Sequence, residues 1–286
     1  MQIEAPLPVA VRIRVIEALA ATGVADIEAV AFVSPRAVPA MAGAAEVLAG
    51  LRRLDGVRYW ALVPNLRGAE MALAALVDGL SVSVSASEVY SGRNVGMTVA
   101  ESVAQAGLIA RAAGAAGDGV PVDAVISCAF GSPYEGEIDP ATVAILVRRL
   151  RDGGVTAITL ADTTGMATPG RIDALLDQTG ADVGLHLHDT RGTALLNAFA
   201  ALSRGVTRFD TSLGGLGGSP FASAGGRAGA AAGGNLATED LVYLLDDLGI
   251  STGVDLARLL AAGDVLAAAV DHRLPSRVAA ALSRDP

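Results

Sequence analysis

The chain has 286 residues and a mass of 28.6 kDa, enough for one or two domains with a well-buried core. Its formal net charge is −9, with 30 acidic and 21 basic residues and no basic cluster, so we expect no nucleic-acid partner. A single cysteine, Cys128, excludes an internal disulfide and any metal site built from several cysteines. The N-terminus lacks a signal-like apolar core, and no apolar run of about 18 residues follows, so we expect a cytoplasmic protein with no membrane partner.

The sequence contains no lysine, so all 21 basic side chains are arginine. Catalysis through a Schiff base needs an amine that can lose its proton, and a guanidinium group does not do so at ordinary pH. Any carbonyl chemistry in this protein therefore needs another electron acceptor.

Helical and strand patterns alternate along the chain. Val9, Ile13, Ile16 and Ala20 share one face at helical spacing and predict the first helix. The apolar run at 27–32 predicts a buried parallel strand. Six further strands are predicted near 59–63, 80–84, 124–129, 157–160, 183–187 and 208–212. The predicted helices between and after them lie near 40–53, 68–78, 98–116, 140–152, 169–178, 191–204 and 238–248.

Seven strands alternating with eight helices favour an α/β fold of the (β/α)₈ TIM-barrel type, formed by residues 1–286 as one catalytic domain. The array begins with a helix, whereas a barrel needs eight strands, so we expect the first strand of the barrel to be missing from this chain. An open doubly wound sheet accommodates seven strands, but no glycine-rich dinucleotide fingerprint follows an early strand.

The segment 214–234 contains nine glycines and is predicted to be irregular. In a barrel it follows a strand on the catalytic face and would form an active-site loop. Its composition fits a solvated linker equally well.

Two of the three histidines, His186 and His188, lie at the end of one predicted strand. Side chains alternate along a strand, so both imidazoles should point to the same side. A hydrogen-bonded pair of core histidines is the simpler interpretation. The doubling and the position at a strand's C-terminal end favour a metal site.

Two carboxylates and one amide extend this candidate site. Glu28 interrupts an apolar strand and Asp162 ends another, and a carboxylate in such a position is costly unless it is paired or coordinated. Structural ion pairs with buried arginine remain the alternative. Asn235 precedes a helix and either adopts a left-handed backbone conformation or supplies an oxygen ligand. Two imidazoles with oxygen ligands suit Mg²⁺ or Mn²⁺ better than tetrahedral zinc.

Six blocks of the sequence resemble the 3-hydroxy-3-methylglutaryl-CoA (HMG-CoA) lyase family. They lie at 32–39, 64–68, 132–136, 186–190, 215–220 and 234–240. The blocks occur in the order of that family and extend over nearly the whole chain. The resemblance implies a TIM barrel that binds a divalent cation and cleaves an acyl-CoA substrate, HMG-CoA, to acetyl-CoA and acetoacetate, a reaction of leucine degradation. It also suggests a homodimer.

The resemblance further implies roles for individual residues. His186, His188 and Asn235 would bind the metal, and Glu28 and Asp162 would lie with His186 among the catalytic residues. A cation bound to the substrate's C3 hydroxyl lowers the pKa of that hydroxyl, a base removes its proton, and the C2–C3 bond breaks to leave a thioester enolate.

The chain departs from the family pattern at its start and in the glycine-rich loop. The family's first strand ends in Arg-Asp-Gly-Leu-Gln, whereas this chain begins at Met1-Gln2, which matches only the last two positions with Met for Leu. We expect that the start codon was assigned too late, with a truncated, inactive paralogue as the alternative. Because open sheet edges favour aggregation, we expect an upstream-extended form to be more soluble.

The second departure concerns the cysteine that this family carries in its loop, which is Ser219 here. A hydroxyl is a much weaker acid than a thiol, so we expect Ser219 to position a water rather than to transfer the proton itself. The stretch between Ser219 and Asn235 is also longer than in the family, which bears on how the loop closes.

Three alternatives to an HMG-CoA lyase remain at this stage. A lyase for a longer 3-hydroxy-3-acylglutaryl-CoA would share the same motifs. A catalytically impaired acyl-CoA-binding paralogue would keep the barrel without turnover. Claisen-type synthases are disfavoured, because their His-x-His motif typically continues with Asn-Asp whereas this chain has Asp189-Thr190.

Overall fold

The computed structural model describes residues 4–116, 119–218 and 234–282. Its centre is a single parallel sheet of seven strands within these residues. The strands are β1 (Asp26–Ala31), β2 (Arg58–Val63), β3 (Gly79–Ser85), β4 (Val122–Ser127), β5 (Ala157–Ala161), β6 (Gly184–His186) and β7 (Arg208–Asp210).

The order of the strands in the sheet is the order in the chain, β1 through β7. In a doubly wound sheet the order of the strands reverses at a switch point. The strand order of this sheet does not reverse, so the alternative of an open doubly wound sheet is wrong. All seven predicted strands are confirmed. In the described residues β1 and β7 each keep one unpaired edge, and the sheet curls as a barrel with one strand fewer than eight.

Eleven α-helices occur in the described part of the chain. They are α1 (Val9–Ala20), α2 (Ala44–Gly50), α3 (Leu66–Ala74), α4 (Glu88–Asn94), α5 (Val99–Ala115), α6 (Pro140–Asp152), α7 (Pro169–Thr179), α8 (Ala194–Ser203), α9 (Thr238–Asp247), α10 (Leu256–Val270) and α11 (Arg277–Leu282). The eight predicted helices are present, and α4, α10 and α11 were not predicted.

Two predicted helices begin later than the sequence suggested. Before α2 the chain forms a 3-10 helix (Pro39–Met41), and Gly43 has a left-handed φ of +76°, which breaks the helical path. Before α8, Gly192 has a φ of +71°, and the Asp189 carboxylate accepts a hydrogen bond from the N–H of Ala194 at 3.1 Å. Turn geometry therefore sets both starts.

A second apolar cluster lies beside the main core. It contains Leu213, Leu216, Val242, Leu259 and Leu266, and α1 packs against it. Because α10 spans from α1 to the segment after β7, the ring of helices closes where β1 and β7 do not pair. Across the described ranges, none of the helices combines the length and the apolar character needed to span a bilayer.

Candidate active site

The pairing of β6 with β7 places two polar side chains next to each other. His186 is the cross-strand partner of Asp210, so the two side chains point to the same face of the sheet. The Nδ1 atom of His186 lies 2.8 Å from Oδ2 of Asp210. Burial alone would lower the pKa of His186, but the charge and hydrogen bond of Asp210 outweigh burial and raise it.

His188 lies beside His186 with its ring turned towards it. The two Nε2 atoms are 3.0 Å apart, the ring centroids 5.0 Å apart, and the ring planes are tilted by 56°. Burial, with the neighbouring charge of His186, lowers the pKa of His188 to about 3. This ring is therefore neutral at physiological pH.

Asn235 reaches the histidines through backbone pairing. Its segment runs antiparallel to the end of β6, with a bridge between His188 and Asn235, and the N–H of Leu236 donates to the carbonyl of Leu187 at 2.8 Å. The Asn235 amide nitrogen donates to the carbonyl of Leu216 at 3.1 Å. The side chain of Asn235 acts to raise the pKa of His188, against the larger effect of burial. Nδ1 of the His188 ring has no hydrogen-bond partner.

Asp162 lies next to His186 at the end of β5. Its backbone N–H donates to the His186 carbonyl at 2.8 Å, and its Oδ1 accepts from the N–H of Met166 at 2.7 Å. The residue is 1% exposed, and its Oδ2 has no hydrogen-bond partner. Burial raises the pKa of Asp162 to about 6.

Glu28 lies at an irregularity of β1. The register with β2 shifts between Glu28 and Val30, so Ala29 is an extra residue, as in a β-bulge, and such bulges re-aim neighbouring side chains. The residue as a whole is exposed to solvent. Partial desolvation by the protein atoms near its carboxylate, with the negative charge of Asp210, raises the pKa of Glu28 to about 7.

Ser219 lies outside the described residues, so the geometry of the site concerns His186, His188, Asn235, Asp162 and Glu28. His186 and Asp162 lie at the carboxyl ends of β6 and β5, and His188 and Asn235 pair just beyond β6. Glu28 lies in the first half of β1, and the charges of Asp210 and His186 act on its carboxylate.

Two other polar residues at strand ends have structural roles. Asn65 caps α3, its Oδ1 accepting from the N–H of Gly68 at 3.0 Å. Cys128 is fully buried with a left-handed φ of +58°, and burial raises the pKa of its thiol to about 12.

Asp210 is not among the site residues predicted from the sequence. The available signal was an acidic residue within the predicted strand 208–212, the first strand after the His-x-His motif. Its contact with His186 depends on the register of two strands 24 residues apart in the sequence, which hydropathy does not encode.

The two imidazoles fit a divalent cation that keeps open positions for substrate and water. An octahedral ion with bonds of about 2.1 Å places neighbouring ligand atoms about 3.0 Å apart, which is also the distance of an N–H···N hydrogen bond. Two buried polar atoms near the imidazoles, Nδ1 of His188 and Oδ2 of Asp162, have no hydrogen-bond partner in the protein. Within the described ranges, no group of three or more His, Cys, Asp or Glu side chains is arranged to hold a metal.

A family model described as HMGL-like matches residues 2–266. The mitochondrial hydroxymethylglutaryl-CoA lyase of Bos taurus is 42% identical over 280 residues, covering 96% of this chain and 83% of the bovine protein. A 3-hydroxy-3-isohexenylglutaryl-CoA/hydroxymethylglutaryl-CoA lyase of Pseudomonas aeruginosa is 41% identical, covering 97% of this chain and 91% of the bacterial protein.

A solved structure is also closely similar. The HMG-CoA lyase of Acinetobacter baumannii in complex with coenzyme A and 3-methylmalate has a TM-score of 0.90 at 37% identity, covering 100% of this chain and 93% of that one. Because the family model and these relatives extend over nearly the whole sequence, the chain belongs to the HMGL-like family of lyases.

Proposed function

We propose that this protein cleaves HMG-CoA to acetyl-CoA and acetoacetate in a metal-assisted retro-Claisen reaction. The observation that carries the proposal is the meeting of His186 and His188 through their Nε2 atoms at the carboxyl edge of the sheet. The identity of 41–42% to proteins named as HMG-CoA lyases supports the same reaction. The absence of lysine agrees with it, because an electron acceptor other than an iminium is needed.

His186, His188 and Asn235 are the residues that would hold the cation, either Mg²⁺ or Mn²⁺. When bound there, such an ion supplies Lewis acidity that lowers the pKa of a substrate hydroxyl and stabilises negative charge on oxygen. Imidazole nitrogen and amide oxygen suit these ions, and the remaining positions stay free for substrate and water.

Asp162 and Glu28 are suited to moving protons during the reaction. Their raised pKa values, about 6 and about 7, allow each carboxyl to accept and release a proton near neutral pH. Asp162 offers the unpartnered Oδ2 for this purpose. We assign Ser219 the positioning of a water molecule, and 214–234 the role of an active-site loop in a single catalytic domain of residues 1–286.

A longer substrate is the second candidate. The Pseudomonas aeruginosa relative carries both activities in its name, for 3-hydroxy-3-isohexenylglutaryl-CoA and for HMG-CoA. Competing the two thioesters against each other and comparing kcat/KM for each distinguishes the candidates. A higher value for the isohexenyl compound would replace HMG-CoA as the preferred substrate.

Release of acetoacetate from HMG-CoA, with and without added Mn²⁺ or Mg²⁺, tests the proposal on the full chain. We expect metal-dependent release that His188→Ala abolishes. The matched control is His272→Ala, since His272 is the third histidine, is exposed and contacts Glu4 rather than His186 or His188. Binding of CoA esters without release would instead indicate an impaired paralogue.

We also propose a cytoplasmic homodimer that acts in leucine degradation. The similarity to named HMG-CoA lyases supports the pathway. Sedimentation equilibrium of the purified chain tests the subunit number, and a monomer at all concentrations would contradict it.

A further inference from the structure

We propose that Asp210 is a positioning residue that fixes His186 as the Nδ1–H tautomer and so presents the bare Nε2 atom to a divalent cation. The inference deepens the proposed function and rests on it. It begins from the direct pairing of the two residues across β6 and β7.

The contact determines which nitrogen of His186 carries the proton. An ionised carboxylate only accepts hydrogen bonds, so a 2.8 Å contact between Oδ2 of Asp210 and Nδ1 of His186 requires a proton on Nδ1. In the neutral ring, Nε2 then has a free lone pair. That lone pair points towards His188, which is the second candidate metal ligand.

The two histidines therefore differ in how far they are prepared to bind a metal. His186 has a carboxylate on the nitrogen opposite the binding one, an arrangement that orients a ligand ring and raises its basicity. His188 lacks such a partner, because its Nδ1 is buried with no hydrogen bond. In the metal-free protein the 3.0 Å contact is satisfied by an N–H on Nε2 of His188 that donates to His186.

An ordinary ion pair that only ties β6 to β7 would give the same distance. It would not specify a tautomer, and an uncharged isostere of Asp210 would leave metal affinity unchanged as long as the fold persisted. The comparison of Asp210→Asn with the wild-type chain separates the two roles, because the amide can donate to Nδ1 and shift the proton to Nε2.

The chain's three histidines make the tautomers directly observable. We would label the full chain with ¹⁵N-histidine and record long-range ¹H–¹⁵N correlations in the metal-free protein at mildly alkaline pH. Mn²⁺ affinity would be measured on the same samples by electron paramagnetic resonance. The variants are Asp210→Asn, Asp210→Glu and a control, Asp173→Asn, whose half-exposed carboxylate accepts from Arg204 at 3.0 Å between α7 and the end of α8.

We expect wild-type His186 to show the Nδ1–H pattern and Asp210→Asn to shift it towards Nε2–H, with Mn²⁺ affinity lower by about 10- to 100-fold. Asp210→Glu should recover most of the affinity, and Asp173→Asn should change neither readout. Unchanged tautomer and affinity in Asp210→Asn would overturn the positioning role. Failure of the wild-type chain to bind Mn²⁺ would instead overturn the proposed metal site.

Discussion

At the scale of single residues, the site combines groups that are satisfied with groups that are not. His186 has a partner on each ring nitrogen, whereas Asp162 keeps one carboxylate oxygen buried without a partner. Native proteins leave few such atoms, and those that persist commonly serve function rather than stability. Asp162 therefore exchanges some folding free energy for a proton acceptor beside the histidines.

Asp162→Asn tests this exchange. We expect kcat for acetoacetate release to fall at least about 100-fold, since the proton acceptor is lost. The free energy of unfolding above pH 6 should stay equal or rise, because burial raises the pKa of Asp162 to about 6 and ionisation then costs folding free energy. Undiminished kcat would contradict the assignment.

A second residue-scale prediction concerns Glu239. It is 0% exposed, and both carboxylate oxygens accept from the N–H of Gly214, at 2.8 and 2.9 Å. Burial raises its pKa from 4.5 to about 7, so the folded state binds its proton more tightly than the unfolded state does. The group's contribution to stability is therefore largest below pH 4.5, declines as the pH rises to 7, and stays low above it.

Glu239→Gln should flatten that dependence. Between pH 4.5 and 7 the wild type should lose on the order of 3 kcal/mol of stability relative to the variant. Urea unfolding of both proteins at several pH values measures this difference. Any pH-independent effect of the amide on the free energy of unfolding cancels, because only the change with pH is compared. Parallel pH profiles of the two proteins would show that Glu239 does not titrate in this way.

At the scale of elements, one carboxylate holds the short helix α11. Oδ1 of Asp240 accepts from the hydroxyl of Ser276 at 2.7 Å and from the N–H of Val278 at 2.9 Å, and Oδ2 accepts from the N–H of Arg277 at 3.1 Å. Arg277 and Val278 are the first two residues of α11, and their N–H groups lack partners within the helix. A residue from α9 thus caps a helix far along the chain.

Asp240→Ala should lower the free energy of unfolding by about 2–4 kcal/mol, combining the loss of a cap with an unsatisfied buried hydroxyl. Arg277→Gln is the matched control. It removes only a 3.0 Å ion pair with Asp189 from a largely exposed side chain and should cost less than about 1 kcal/mol. Equal losses in urea unfolding would show that the ion pair, not the cap, holds the segment.

The elements that the sequence predicted are those whose pattern is local. The apolar runs of the strands and the amphipathic face of α1 follow directly from residue order. Helix α10 escaped prediction because Leu256–Val270 is apolar almost all round and has no polar stripe to mark its period. For the site, strand alternation indicated His186 and His188, but the role of Asp210 required the register of β6 and β7.

At the scale of the whole molecule, the helices close a ring that the sheet leaves open. Helix α10 packs on α1 at one side and on the segment after β7 at the other. The second apolar cluster fills this seam, and its central residue Leu259 is fully buried. Much of the cohesion between the first and last elements therefore depends on this helix.

Leu259→Ala should lower the free energy of unfolding by about 2–5 kcal/mol, through lost burial and a residual cavity. Val265→Ala lies on the same helix at 38% exposure and should cost about 1 kcal/mol or less. Urea unfolding of both variants gives the comparison. Similar losses would mean that helix propensity, not the seam, dominates.

The buried thiol of Cys128 serves as an internal probe of transient local opening of the protein. It is the only sulfhydryl in the chain, it directly follows β4 at the carboxyl edge of the sheet, and none of its surface is exposed. A disulfide dye can modify it only in molecules where that edge has transiently opened, so the colour develops at a rate governed by local opening. Bound substrate or metal that stabilises this edge should lower the rate of thiol modification in proportion. The ratio of the rates gives the change in the equilibrium constant for local opening without unfolding the protein.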